Sequence, residues 1–99
     1  MSAKTITVVA TFEARPGKEE ELRKALLTLV PHTRKEAGCL NYDLHCSPDS
    51  PAKFLFHENW TSRALLDAHL NSAHIAALLP RMDGLCVAFP EIKIWEKIS

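Results

Sequence analysis

The sequence predicts an α+β fold, a ferredoxin-like split βαβ sandwich with a four-stranded antiparallel sheet and helices on one of its faces. Two observations carry the prediction. Along the 99 residues the apolar spacing alternates between the two-residue repeat of a strand and the three-to-four-residue repeat of a helix, in the order β-α-β-β-α-β. Turn-forming residues, Arg15-Pro16-Gly17, Gly38 and the run SPDSPAK, fall where that spacing changes.

In chain order, TITVVATFE is the first strand, with Ile6, Val8, Ala10 and Phe12 on one face and Thr5, Thr7, Val9 and Thr11 on the other. Lys18 to Ala37 follows as an amphipathic helix with the stripe Leu22, Ala25, Leu26, Leu29 and Val30, and the acidic run Glu19 to Glu21 suits its positive N-terminal end. Pro31 has no amide hydrogen and is expected to kink this helix. Gly38 ends it. The second strand, CLNYDLHC, alternates Leu40, Tyr42, Leu44 and Cys46 against Cys39, Asn41, Asp43 and His45. FLFHENW then sets Phe54, Phe56, Glu58 and Trp60 opposite Leu55, His57 and Asn59, a third strand paired antiparallel with the second. Thr61 or Ser62 caps a helix in which Leu65, Ala68 and His69 share a face. Asn71-Ser72 breaks it, and a short helix from about Ala73 carries Ile75, Leu78, Leu79 and Met82 in register. Residues 83–90 read as a loop, and EIKIWEKI as a last strand with Ile92, Ile94 and Ile98 opposite Lys93, Trp95 and Lys97.

A chain that is 46% hydrophobic and 24% charged fits one small globular domain over residues 1–99. Twelve basic residues balance twelve acidic ones, so no basic field draws phosphates or anionic lipid, and neither nucleic acid nor membrane is an expected partner. No apolar run nears the roughly 18 to 20 residues of a membrane span, and the start MSAKTITVVATFEARPG lacks a signal peptide's h-region and cleavage site. A cytoplasmic location is expected. Cys39, Cys46 and Cys86 are odd in number and widely spaced, which suits reduced thiols. Val9, Leu55 and Trp95 make the second sheet face too apolar for open water, and zero net charge leaves self-association unopposed. The expected cover is the same face of another copy, in a two-fold homodimer.

Four stretches, TVVATFEARPGKEEEL, KEAGCLNYDLH, FLFHENWTSRALLDAHLNSAHI and IKIW, span nearly the whole chain. The specific part is an aromatic strand ending in Glu-x-Trp, followed nine residues later by His and then by Ser-x-His. With these stretches the chain resembles the antibiotic biosynthesis monooxygenase (ABM) domain family, including its quinol monooxygenase group. The resemblance implies a dimeric α+β barrel with a pocket between sheet and helices. It also implies oxygenation of a small phenolic or quinol substrate by molecular oxygen, with no flavin, metal or other cofactor. Some relatives degrade haem and others isomerise small carbonyl compounds. The places that haem-degrading relatives fill with an axial histidine and a tryptophan fall on Leu79 and His69, so the haem reading loses both residues.

Oxygenation without a cofactor needs a base for the phenolic proton, apolar confinement, and donors for developing negative charge. His69, on a sheet-facing helix surface, is the candidate base; its structural alternative is a core histidine bonded to a strand side chain such as Glu58. Tyr42, Glu58, Trp60 and His74 are the candidate substrate-binding residues. Tyr42 can donate to a substrate oxygen or simply close the sheet against the helices, and Trp60 offers a flat wall and one N–H. Glu58, a carboxylate on an apolar face, needs a partner, for which His69 and Tyr42 stand nearest in the pattern. His74 follows the helix break and belongs to the rim. No metal is expected: His69 and His74 are five apart, about 140° around a continuous helix, and no third ligand stands out. A non-catalytic small-aromatic binding dimer and an isomerase remain as alternatives.

Overall fold

The computed structural model describes residues 5–99; residues 1–4, part of the opening run read above for a signal peptide, lie outside it. Strands β1 (Ile6–Glu13), β2 (Cys39–Cys46), β3 (Lys53–Trp60) and β4 (Glu91–Glu96) form one antiparallel sheet in the order β2-β3-β1-β4. Helices α1 (Glu19–Arg34), α2 (Arg63–Leu70), α3 (Ala73–Leu78) and α4 (Met82–Leu85) accompany it, with a 3-10 turn at Leu79–Arg81 between the last two. This is the split βαβ, ferredoxin-like arrangement. Among the described residues no helix is long and apolar enough to cross a membrane.

The strand alternation does what its period requires. Ile6, Val8, Ala10 and Phe12 of β1, with Phe54, Phe56, Glu58 and Trp60 of β3, are all buried towards the helices. Leu22, Ala25, Leu26 and Leu29 of α1 pack onto them. Removing this much apolar area from water is the main force holding helix layer to sheet, at roughly 1.5–3 kcal/mol per large side chain. α1 runs unbroken through Pro31, whose ring lies on the exposed side of the helix, and it ends at Arg34, three residues earlier than the apolar pattern suggests. Gly38 then takes φ +85°, a conformation open to glycine at little cost, and turns the chain into β2.

Four local expectations are corrected. A register shift between Cys39 and Asn41 sets Cys39 opposite Trp60 and leaves Leu40 more than half exposed, because a bulge throws one residue out of the alternation. In α2 the buried pair is Leu66 and His69, while Ala68 is exposed. Beyond α3, Pro80 tightens the backbone into the 3-10 turn, which rotates Leu79 outwards and brings Met82 and Leu85 in. Residues 83–85 are therefore helical, and Cys86 forms an isolated bridge with Ala14. Ile92 and Ile94 share one face of β4, as their alternation requires, and pair with Ala10 and Val8, but on this edge strand both are exposed.

Candidate functional site

Three elements converge at the end of the sheet where β3 finishes. β3 contributes Glu58 and Trp60, whose alternation points both inward. Tyr42, opposite Glu58 on β2, stacks on Phe56 with ring centroids 4.3 Å apart. α2 is started by Ser62, whose Oγ accepts a hydrogen bond from the Leu65 amide at 3.3 Å, and seven residues later delivers His69. The His69 ring lies 4.7 Å from that of Trp60 and edge-on to Tyr42 at 5.5 Å. All three side chains are buried, so this wall is dry and tightly filled.

The sequence did not point to the partner of His69. It is Glu36, in the turn between α1 and β2, whose Oε2 lies 2.6 Å from His69 Nδ1. A carboxylate only accepts, so Nδ1 carries the hydrogen and Nε2 keeps its lone pair. Burial pulls the His69 imidazole below its ordinary range and outweighs the Glu36 hydrogen bond, which acts the other way; the ring is neutral at pH 7. One signal in the sequence could have flagged Glu36. It sits at the C-terminal end of α1, where a negative charge is disfavoured by the helix dipole unless a donor meets it.

His74 joins the same carboxylate. Its Nε2 is 3.1 Å from Glu36 Oε2, with Ser72 Oγ at 3.2 Å and Thr33 Oγ1 at 3.3 Å, and its ring stacks on His32. The break after α2 makes this possible: Asn71 caps α2, and Ser72 at φ −71° and ψ 158° is extended, so α3 starts on a new axis. Two histidines five apart in sequence thus meet on one oxygen.

Glu58 is not bonded to His69. Its Oε1 accepts from Trp60 Nε1 at 2.9 Å, and burial raises its carboxyl to about 7. Burial, reinforced by Glu58, also pushes the Tyr42 hydroxyl far above its usual range, so it stays protonated, with Thr33 as its hydrogen-bond partner. The sequence-predicted set of Tyr42, Glu58, Trp60, His69 and His74 is therefore gathered at one end of the sheet. The Glu58 pairing differs from expectation, and Glu36 and Thr33 complete the set.

A sizeable cavity lies elsewhere. A cleft of about 600 Å³ opens at the other end of the sheet, between Phe12, Phe54, Leu55 and the segment Val87 to Phe89. β3 runs from that cleft at Phe54 to the histidines at Trp60, six residues or roughly 20 Å away.

Residues 5–81 match the family model described as antibiotic biosynthesis monooxygenase. The chain belongs to this family. "Putative monooxygenase Rv0793" of Mycobacterium tuberculosis is 41% identical over 69 residues, 70% of this chain and 67% of that protein. "Probable quinol monooxygenase YgiN" of Escherichia coli K12 is 32% identical over 91 residues, 80% of this chain and 86% of that one. An uncharacterized Synechocystis protein is 30% identical over 92% of the chain, which spans only 62% of that relative's length. Among solved structures, PA3566 of Pseudomonas aeruginosa superposes with a TM-score of 0.93 at 31% identity, covering 100% of this chain and 99% of that one. This antibiotic biosynthesis monooxygenase domain thus shares the fold of PA3566.

Proposed function

We propose that the protein is a cofactor-independent monooxygenase that oxidises a small phenol or quinol with molecular oxygen, working as a homodimer, with His69 as base. The observation that carries this reading is the 2.6 Å contact between His69 Nδ1 and Glu36, which orients a neutral imidazole inside an aromatic wall. His69 Nε2 takes the phenolic proton, and Glu36 stabilises the imidazolium through Nδ1–H. The electron-rich phenolate passes one electron to oxygen. Superoxide and the substrate radical combine at a ring carbon, and the peroxide loses water. One oxygen atom stays on the ring as a quinone carbonyl, and the other leaves as water with the phenolic and ring hydrogens. Trp60 and Tyr42 supply the flat confinement, the protonated Tyr42 hydroxyl is a donor for developing charge, and Glu58 holds the Trp60 N–H. Glu36 and His74, whose side chains are about a fifth exposed, are where this cluster meets solvent.

The test is oxygen uptake with a panel of phenols and reduced naphthoquinols, corrected for autoxidation. His69→Ala is expected to lower the rate about 10²- to 10⁴-fold. No protein-dependent uptake, or uptake unchanged in His69→Ala, removes the proposal. Turnover without oxygen would select the isomerase alternative instead.

One observation favours a second reading, a small-aromatic binding dimer without turnover. The cleft lined by Phe12, Phe54 and Phe89 has the volume of a small-molecule site, while the space around His69 is filled. Saturable aromatic binding that is lost in Phe89→Ala and kept in His69→Ala selects it.

A further inference from the structure

Glu36, His69 and His74 present one carboxylate oxygen and two imidazole nitrogens that all lie within 4.8 Å of one another. We propose that these three side chains bind one divalent first-row transition ion of the Zn²⁺ type, through the Glu36 carboxylate, His69 Nδ1 and His74 Nε2. Two neutral imidazoles and one carboxylate are a donor set that such ions favour, with three protein ligands and a fourth position left for water. The ligands come from three separate segments: the α1–β2 turn, the last turn of α2 and the first turn of α3. That arrangement answers the spacing objection, because the break at Ser72 replaces the single helix on which the histidines would diverge.

Bonds of about 2.0–2.1 Å to a tetrahedral ion set its ligands roughly 3.3 Å apart. The Glu36 Oε2 to His74 Nε2 distance is already 3.1 Å, and the 2.6 Å contact to His69 Nδ1 has to open by under about 1 Å. The two imidazole nitrogens, within 4.8 Å of one another, have to close by up to about 1.5 Å. Packing aims the two rings: His69 is fixed against Trp60 and Tyr42, and His74 against His32. The Thr33 and Ser72 hydroxyls, within 3.3 Å of His74 Nε2, give up that nitrogen to the ion and stand beside its open position. His69 is almost fully buried, whereas Glu36 and His74 leave one side open for the ion to enter.

The ion takes the place of the hydrogen that His69 Nδ1 shares with Glu36. A ring bound through Nδ1 carries its hydrogen on Nε2 and cannot accept a proton there, so a loaded site and a working His69 base exclude each other. The proposal uses the same side chains as the oxygenase reading and does not depend on it.

The experiment titrates chelator-washed full-length protein with Co²⁺, followed by its visible absorption, and then displaces the Co²⁺ with Zn²⁺. One equivalent is expected to saturate the band, and Glu36→Gln and His74→Gln are each expected to weaken binding at least tenfold. His57→Gln, on the outer sheet face, is expected to leave it unchanged. If either site variant fails to fold, Zn²⁺-induced NMR shifts of the His69 and His74 ring resonances in the unaltered protein decide. No band and no such shifts, affinity unchanged in Glu36→Gln and His74→Gln, or loss in His57→Gln overturns the proposal. Co²⁺ binding without oxygen uptake in the metal-free protein keeps the metal site and removes the base. Uptake without Co²⁺ binding does the reverse.

Discussion

At the scale of single residues, the buried titratable groups pull stability in opposite directions as pH changes. Glu58 has its carboxyl raised from 4.5 to about 7, so between these values the folded state holds a proton that the unfolded chain has lost. Its contribution is fully present below about pH 4.5 and is lost as pH rises through 7. His69, lowered by burial, does the opposite, and stability gained from its neutral form is complete above about pH 6.5. Glu58→Gln removes the first effect while leaving a hydrogen-bond acceptor for Trp60 Nε1. Urea denaturation at pH 5 and pH 8 is expected to show the variant gaining on the parent at the higher pH, by up to about 3 kcal/mol. A difference between the two proteins that does not vary with pH refutes this. Burial of Glu58 was legible from strand alternation alone, but its pairing was not. Alternation fixes a face and says nothing of which polar neighbour is in reach, and Glu36, which claimed His69, belongs to a turn that no periodicity describes.

At the scale of elements, the strands and the long helix were read within a few residues because their patterns are long and their faces differ sharply in burial. The segment after α2 is less legible. Its pieces are of six residues or fewer, and Pro80 and the Ser72 break rotate each one relative to the last. The bulge at Leu40 is invisible to a counting rule, since one extra residue reverses the facing of everything before it. Gly38 links the two kinds of element. Beyond its φ of +85°, a Cβ placed there would stand 2.5 Å from Leu65 Cδ1 and 2.9 Å from Thr61 Oγ1, so α2 packs directly on the turn that carries Glu36. Gly38→Ala therefore combines left-handed strain with overpacking, and a loss of about 2–4 kcal/mol is expected in urea denaturation. A loss below about 1 kcal/mol would mean that turn and helix are less tightly matched than these distances require.

At the scale of the whole molecule, β4 is the element that one chain leaves unfinished. It is an edge strand and is exposed along its full length, with Trp95 on the outer face at 56% and Ile92 and Ile94 on the helix side at 42% and 37%. Among the described residues no strand pairs with its outer edge, and apolar residues on both faces of an edge strand favour pairing with another chain. The outer face beside it has its polar side chains paired with one another. Thr7 donates to Asn59 at 2.6 Å, Asn59 to Asn41 at 2.7 Å, and Asn41 to Asp43 at 3.0 Å, so covering this ladder strands few polar groups. A second copy laid sheet to sheet would cover Val9, Leu55 and Trp95, but Ile92 and Ile94 point the other way, so the dimer expected from this surface would also have to wrap the β4 edge. Sedimentation equilibrium at micromolar concentration is expected to give a dimer for the parent chain. Trp95→Lys and Ile94→Lys, one on each side of β4, are each expected to raise the dissociation constant at least tenfold while leaving the circular dichroism of the monomer unchanged. If only Trp95→Lys has this effect, the interface is confined to the outer face, and a parent chain that sediments as a monomer removes the dimer altogether.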